Sequence, residues 1–257
     1  MKIGLPVKNI FMLAGAGSFF LLFSGCNRPE RTPGICLSFD DRSVAAWYAL
    51  RGLLHDHGAK ATFFITQFDS LSVGEIGMLR KLQADGNEIA SHGALHVQAE
   101  GYIKKKSYRD YLKNEIDASI DVMRSNGFHP TSFAYPYGSK YWFTDFFLLK
   151  RFKITRGIAS LKRKDLAQVD ETYYSFNGNN TIAATEIDSQ RGLTEKMIIE
   201  AMDRARQREE VLVLCGHEPS DSARREYAFN IQFLKFILDE ANRQHLKYYR
   251  VSDLVRK

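Results

Sequence analysis

From Ile35 to Val251 the chain alternates short apolar runs, rich in β-formers, with amphipathic stretches of helical period. That alternation leaves few folds open. Strands are predicted over 35–39, 61–65, 88–91, 131–135, 153–158, 181–187, 211–215 and 247–251. Helices are predicted over 43–57, 72–85, 107–126, 141–151, 193–208 and 223–244. Ser72 with Glu75 three residues on has the form of a capping box, and Thr194 is placed to cap. Gly58, Gly86 and Gly127 are placed to end helices. Strands joined by helices of this length imply crossover connections and a mostly parallel sheet. Seven or eight such strands in one domain favour a closed barrel over an open sheet. Residues 160–180 read as irregular and run into the turn-rich Asn177-Gly178-Asn179-Asn180.

The N-terminus reads as an export leader over 1–25. Lys2 and Lys8 precede a hydrophobic stretch from Ile10 to Phe23, which is short for a membrane span. Phe23-Ser24-Gly25-Cys26 has the form of a lipoprotein processing site, so lipidation is expected at Cys26. Residues 26–33 would form a tether, and 34–257 one catalytic domain. Loss of 25 residues and two lysines leaves 232 residues and a net charge of +4, from +6 for the whole chain. A domain of that length buries a substantial core. Mild basicity fits an acidic envelope polymer as partner, and no basic run with interleaved aromatics points to nucleic acid. The expected location is the cell envelope, anchored through the lipid. Cys36 and Cys215 fall in strand-like runs and read as buried small hydrophobes.

Chemistry in parallel barrels gathers at the carboxyl ends of the strands. Asp40-Asp41 follows the first run, His92 the third, Tyr137 the fourth and His217 the run 211–215. Each is weak evidence by itself. Asp41 could merely cap the next helix, and an HxxxH spacing such as His92–His96 is common on structural helices. Together, in order and on one rim, they describe a metal site of one carboxylate and two imidazoles with open positions. A second carboxylate is left free to move a proton. Sites of that kind activate water, which points to metal-assisted hydrolysis.

The same residues resemble the polysaccharide deacetylases of the NodB-homology type, carbohydrate esterase family 4. Ser38-Phe39-Asp40-Asp41 is similar to that family's first motif. Ser91-His92-Gly93-Ala94-Leu95-His96 is similar to its second, with Gly93 where Ser or Thr is usual. Phe133-Ala134-Tyr135-Pro136-Tyr137-Gly138 is a variant of the third. Leu214-Cys215-Gly216-His217 is similar to the strand that ends in the catalytic histidine. The resemblance runs from about Gly34 to the C-terminus and implies an irregular (β/α)7 barrel. It also implies a divalent metal, usually zinc, with cobalt, nickel or manganese as alternatives. By this resemblance Asp41, His92 and His96 are the ligands, Asp40 the general base and His217 the general acid. Pro136 and Tyr137 form the oxyanion and substrate turn, with the Tyr137 backbone N–H as donor. The implied reaction removes acetyl groups from an N- or O-acetylated polysaccharide or oligosaccharide. Acetylated xylan, a small amide or another C–N bond are alternatives, as is a weak barrel retained for glycan binding.

Three departures stand out. Ala134 occupies the place of an Arg that usually pairs with the base, and Arg156 is the candidate replacement. Cys215 stands where a Leu usually lines the acyl pocket, which predicts a roomier pocket. The usual fourth-motif Asp and Trp have no clear match; Asp170, Glu171 and Phe176 are candidates, and Tyr141-Trp142-Phe143 reads as core more readily than as a sugar platform.

Overall fold

Seven parallel strands close on themselves in this computed structural model, which describes Met1 and residues 31–161, 165–222 and 226–255. The expected leader, Cys26 and the start of the tether lie outside the described residues. The barrel strands are β1 (Gly34–Asp41), β2 (Ala61–Ile65), β3 (Glu88–Ser91), β4 (Ser132–Ala134), β5 (Ile154–Ile158), β6 (Thr181–Glu186) and β7 (Val211–Gly216). They hydrogen-bond in chain order, and β7 pairs back onto β1 from Gly34↔Val211 to Phe39↔Gly216. The closed barrel predicted from the alternation is observed, in the (β/α)7 form that the resemblance implies. Its irregularity lies at β3–β4, joined through the single register pair Ser91↔Phe133.

Residue alternation on β1 sets the layers. Ile35, Leu37 and Phe39 face outward into a core shared with the surrounding helices. Cys36 packs inside the barrel with Phe64, Ala90, Ala134, Ile154, Val213 and Cys215. Cys36 and Cys215 are free, buried thiols, and burial raises the pKa of both. Val251, Leu254 and Val255 join the interior cluster and plug the amino-terminal end of the barrel. There Glu88 accepts hydrogen bonds from Thr62, Thr131, Ser132 and the Ser252 backbone.

Several local readings change. The helix predicted over 43–57 breaks at Leu50 into Val44–Ala49 and Arg51–Asp56. Residues 108–125 are continuous helix, but Leu112–Asp117 forms a wide i+5 turn. The helix expected over 141–151 shrinks to Thr144–Leu148. The one expected from 223 begins at Ile231, because Ala228–Asn230 pairs as a short strand with Glu218–Ser220. The irregular stretch 160–180 includes two 3-10 turns and a two-residue strand, Tyr173–Tyr174, antiparallel to β7. Among the described residues no helix is long and apolar enough to cross a membrane.

Candidate metal centre and active site

The upper end of β1 presents two adjacent carboxylates in opposite settings. Asp40 follows Cys36 and Ser38 on the inward face and is 2% exposed. Its two oxygens both contact Nη2 of Arg156, which reaches inward from β5 and is fully buried. The Arg156 guanidinium also lies 5.2 Å from the Phe64 ring centre. Asp41, the last ladder residue of β1, has φ 86° and lies on the rim. Its Oδ1 is buried and lies 3.1 Å from His96 Nε2 and 3.6 Å from His92 Nε2, without an aligned hydrogen bond.

His92 follows β3 directly and is 2% exposed. Its Nδ1 donates to the Ala134 carbonyl at 2.9 Å, which leaves the Nε2 lone pair facing Asp41. Burial pushes the His92 pKa down to about 4, so the ring is neutral at pH 7 and free to ligate. Burial also works against charge on Asp41. The His96 contact and the positive potential of His92 and His217 outweigh it and hold that carboxyl at about 2. The ligand atoms of Asp41, His92 and His96 all lie within 4.8 Å of one another. An ionised oxygen lacking a hydrogen bond and two imidazole nitrogens are a donor set that one divalent cation satisfies.

His96 reaches this position from a loop, not a helix. Gly93 has φ 83° and His96 φ 57°. Glu115, fully buried on the wide helical turn, underlies the loop: its carboxylate accepts the N–H groups of Leu95 at 2.6 Å and Val97 at 3.1 Å. Burial raises the Glu115 pKa, with those hydrogen bonds opposing.

Pro136 opens a tight turn after β4, and Tyr137 takes φ 57° there. A tyrosine held left-handed stores local strain, a feature that clusters at functional sites. Its ring lies 4.7 Å from that of His96 and is 60% exposed. Hollows open on both sides of it. One, of about 350 Å³, is lined by Gly138, Ile158, Ser160, Thr185, Glu186 and Arg191. The other, of about 440 Å³, is lined by His96, Gln98, Tyr102 and Lys105.

His217 comes from the end of β7. Gly216 before it is packed so closely that a Cβ would sit 2.7 Å from Phe229. Asp188, two residues past β6 and fully buried, accepts from His217 Nδ1 at 2.6 Å and from the His217 backbone N–H at 3.1 Å. Trp47 Nε1 donates to the His217 carbonyl at 2.7 Å. Burial alone would lower the His217 pKa, but the Asp188 bond and the charges of Asp40, Asp188 and Asp41 raise it. Glu186 completes this side and pairs with Arg191.

Residues 27–148 match the family model described as polysaccharide deacetylase. Over those residues the chain is similar to polysaccharide deacetylases. The match includes Asp40, Asp41, His92, His96 and Tyr137, and stops short of Arg156, Asp188 and His217. No curated protein matches the chain. Thirty-three chains of solved structures do. The peptidoglycan deacetylase PdaC from Bacillus subtilis shares 19% identity with this chain at a TM-score of 0.55, over 87% of this chain and 90% of that one. A family 4 carbohydrate esterase from Streptomyces lividans, in complex with acetate, shares 15% at 0.53, over 84% and 92%. A family 4 pseudoenzyme from Bacillus anthracis shares 12% at 0.55, over 88% and 66%. At these identities the likeness is one of fold.

The barrel thus brings together Asp40, Asp41, His92, His96 and Arg156, with Cys215 below them in the barrel interior. Asp170, a candidate fourth-motif acid, instead pairs with Arg204 at 2.8 Å, and Phe176 packs on Tyr174 and Tyr249. Sequence reasoning missed Asp188 and Glu115. An acid just past the sixth strand was the available signal for Asp188. Trp142, expected as core, is 85% exposed.

Proposed function

We propose that this domain hydrolyses acetyl groups from an N- or O-acetylated envelope carbohydrate at a metal held by Asp41, His92 and His96, zinc being the ion the family uses. The observation that carries this reading is the buried Asp41 oxygen facing two imidazole nitrogens, flanked by a paired carboxylate and a paired imidazole. A divalent ion there supplies Lewis acidity, making water nucleophilic near neutral pH and polarising the acyl carbonyl.

The chain's own residues do the rest. Asp40, with Arg156 beside it, takes the proton of the attacking water. The Tyr137 backbone N–H, on its strained turn, receives the negative charge that develops on the carbonyl oxygen. Cys215 lines the acyl side of the site with a smaller side chain than leucine. His217, held by Asp188, whose hydrogen bond and charge favour the protonated ring, gives its proton to the departing sugar nitrogen or oxygen. The products are acetate and the free amine or hydroxyl. The Tyr137 ring and its two flanking hollows receive the neighbouring sugars. Cys26, once lipidated, would tether the domain in the cell envelope beside such a polymer.

The test is acetate release from a panel of acetylated glycans, with and without chelator. Wild type releases acetate and loses activity on chelation. Asp40→Asn keeps its metal and loses turnover by roughly 100-fold or more; native-rate release by that variant would remove Asp40 as the base. Ala134, together with the pseudoenzyme that shares the fold, favours a second reading, a barrel retained for glycan binding. Glycan binding without acetate release from any member of the panel would establish that reading.

A further inference from the structure

The loop between the two histidines is fastened by one residue that no motif contains. Glu115 accepts the Leu95 and Val97 N–H groups on its two carboxylate oxygens, and its backbone carbonyl accepts the Ala94 N–H at 3.0 Å. Three of the four amides from 94 to 97 are therefore held by a single, fully buried residue. On the opposite side the Gly93 carbonyl accepts from Thr66 Oγ1 at 3.1 Å and the Gln67 N–H at 3.3 Å. A Cβ at position 93 would lie 2.1 Å from Glu115 Oε1, and Gly93 has φ 83°. A side chain at 93 and the carboxylate cannot share that space, so Gly93 and Glu115 are one feature.

The helix is built to deliver this carboxylate. Leu112–Asp117 forms the wide i+5 turn, and Glu115 lies within it. Such turns interrupt a helix at some cost and concentrate at functional sites. Burying a carboxylate is also costly unless it is fully engaged, and here the backbone of the metal loop engages it.

We propose that Glu115 is a positioning residue for the metal triad: its carboxylate locks the 93–97 loop in the conformation that sets His96 against Asp41 and His92, and it requires glycine at 93. This rests on the metal reading above. Residues that orient ligands from behind typically change metal affinity by roughly 10–100-fold when altered.

The experiment compares wild type, Glu115→Ala, Glu115→Gln and Gly93→Ser in three measurements. These are zinc affinity by chelator competition, hydrogen exchange at amides 94, 95 and 97 of the metal-free protein, and thermal unfolding of the metal-free protein. Glu115→Ala weakens zinc binding at least tenfold and speeds exchange at amides 95 and 97. Glu115→Gln, which keeps one acceptor oxygen, recovers part of both. Gly93→Ser loses affinity as Glu115→Ala does. If the Ala variant does not fold, Glu115→Asp, which withdraws the carboxylate by one methylene, takes its place with the same expectation. A lower unfolding temperature with wild-type zinc affinity and wild-type exchange at 95 and 97 would reduce Glu115 to a structural role and overturn the proposal. Failure of wild type to bind zinc would overturn the metal reading instead. The two failures are distinct, because loop exchange is read without metal.

Discussion

Asp188 is what favours the acid form of His217. Burial by itself pulls the imidazole toward the neutral form, and the Asp188 bond is the largest effect in the other direction. An acid must be protonated to work, so activity is lost as pH rises through its pKa. Asp188→Asn still accepts the His217 backbone N–H, but it takes away the charge. The alkaline limb of kcat/KM should therefore move to lower pH, with roughly a tenfold or greater loss at pH 7.5. An unmoved alkaline limb in that variant would separate Asp188 from the acid. The Asp40–Arg156 pair makes a different prediction. Both groups are buried, so removing one strands the other. Arg156→Met should lower stability by about 3–5 kcal/mol in denaturant unfolding. Adding Asp40→Asn should return part of that loss, because the stranded carboxylate is gone. A double variant no more stable than the single one would refute the coupling.

Elements were legible where local chemistry decides them. Ser72 and Glu75 form the reciprocal cap that their spacing announces, and Thr194 caps its helix by accepting from the Met197 N–H. Periodicity failed where tertiary pairing overrode it. Residues 223–230 carry a helix-compatible pattern, but Ala228–Asn230 is drawn into a ladder with Glu218–Ser220. The helix then starts at Ile231, capped by Asn230, whose Oδ1 accepts from the Gln232 N–H at 2.7 Å and the Phe233 N–H at 3.2 Å. Asn230→Ala should cost about 1 kcal/mol in unfolding free energy without changing metal affinity. An unchanged unfolding midpoint would mean the helix start does not depend on that cap. The site divides in the same way. Asp40, Asp41, His92 and His217 stand at strand ends, where an order-of-strands reading finds them, and His96 follows from its spacing to His92. Glu115 lies beside the apolar positions Leu112 and Ile116, where an acid looks like the edge of a solvated face. Asp188 looks like an ordinary turn residue until the sixth and seventh strands are side by side.

At the scale of the whole barrel, the two ends are built for different work. The carboxyl ends of the strands gather strained backbone at Asp41, His96 and Tyr137, all at positive φ. The amino-terminal end is closed by the C-terminal residues, and Glu88 ties that closure together. One oxygen accepts from Ser132 Oγ at 2.5 Å and Thr131 Oγ1 at 3.1 Å. The other accepts from Thr62 Oγ1 and the Ser252 N–H, each at 3.0 Å. Thr62 Oγ1 in turn accepts the Val251 N–H at 2.9 Å. Three strands and the C-terminal turn thus meet on one carboxylate that is 8% exposed. Glu88→Ala would leave these hydroxyls and an amide without their acceptor. Losing a charged hydrogen-bond hub of this kind costs about 3 kcal/mol. The site is at the opposite end, and conserving function there while supporting the fold here is the usual division in such barrels. Glu88→Ala should therefore lower the unfolding midpoint while kcat and zinc affinity of the folded protein, measured well below that midpoint, stay at wild-type values. A fall in kcat at full occupancy of the folded state would show that the closure at the base is coupled to the catalytic rim.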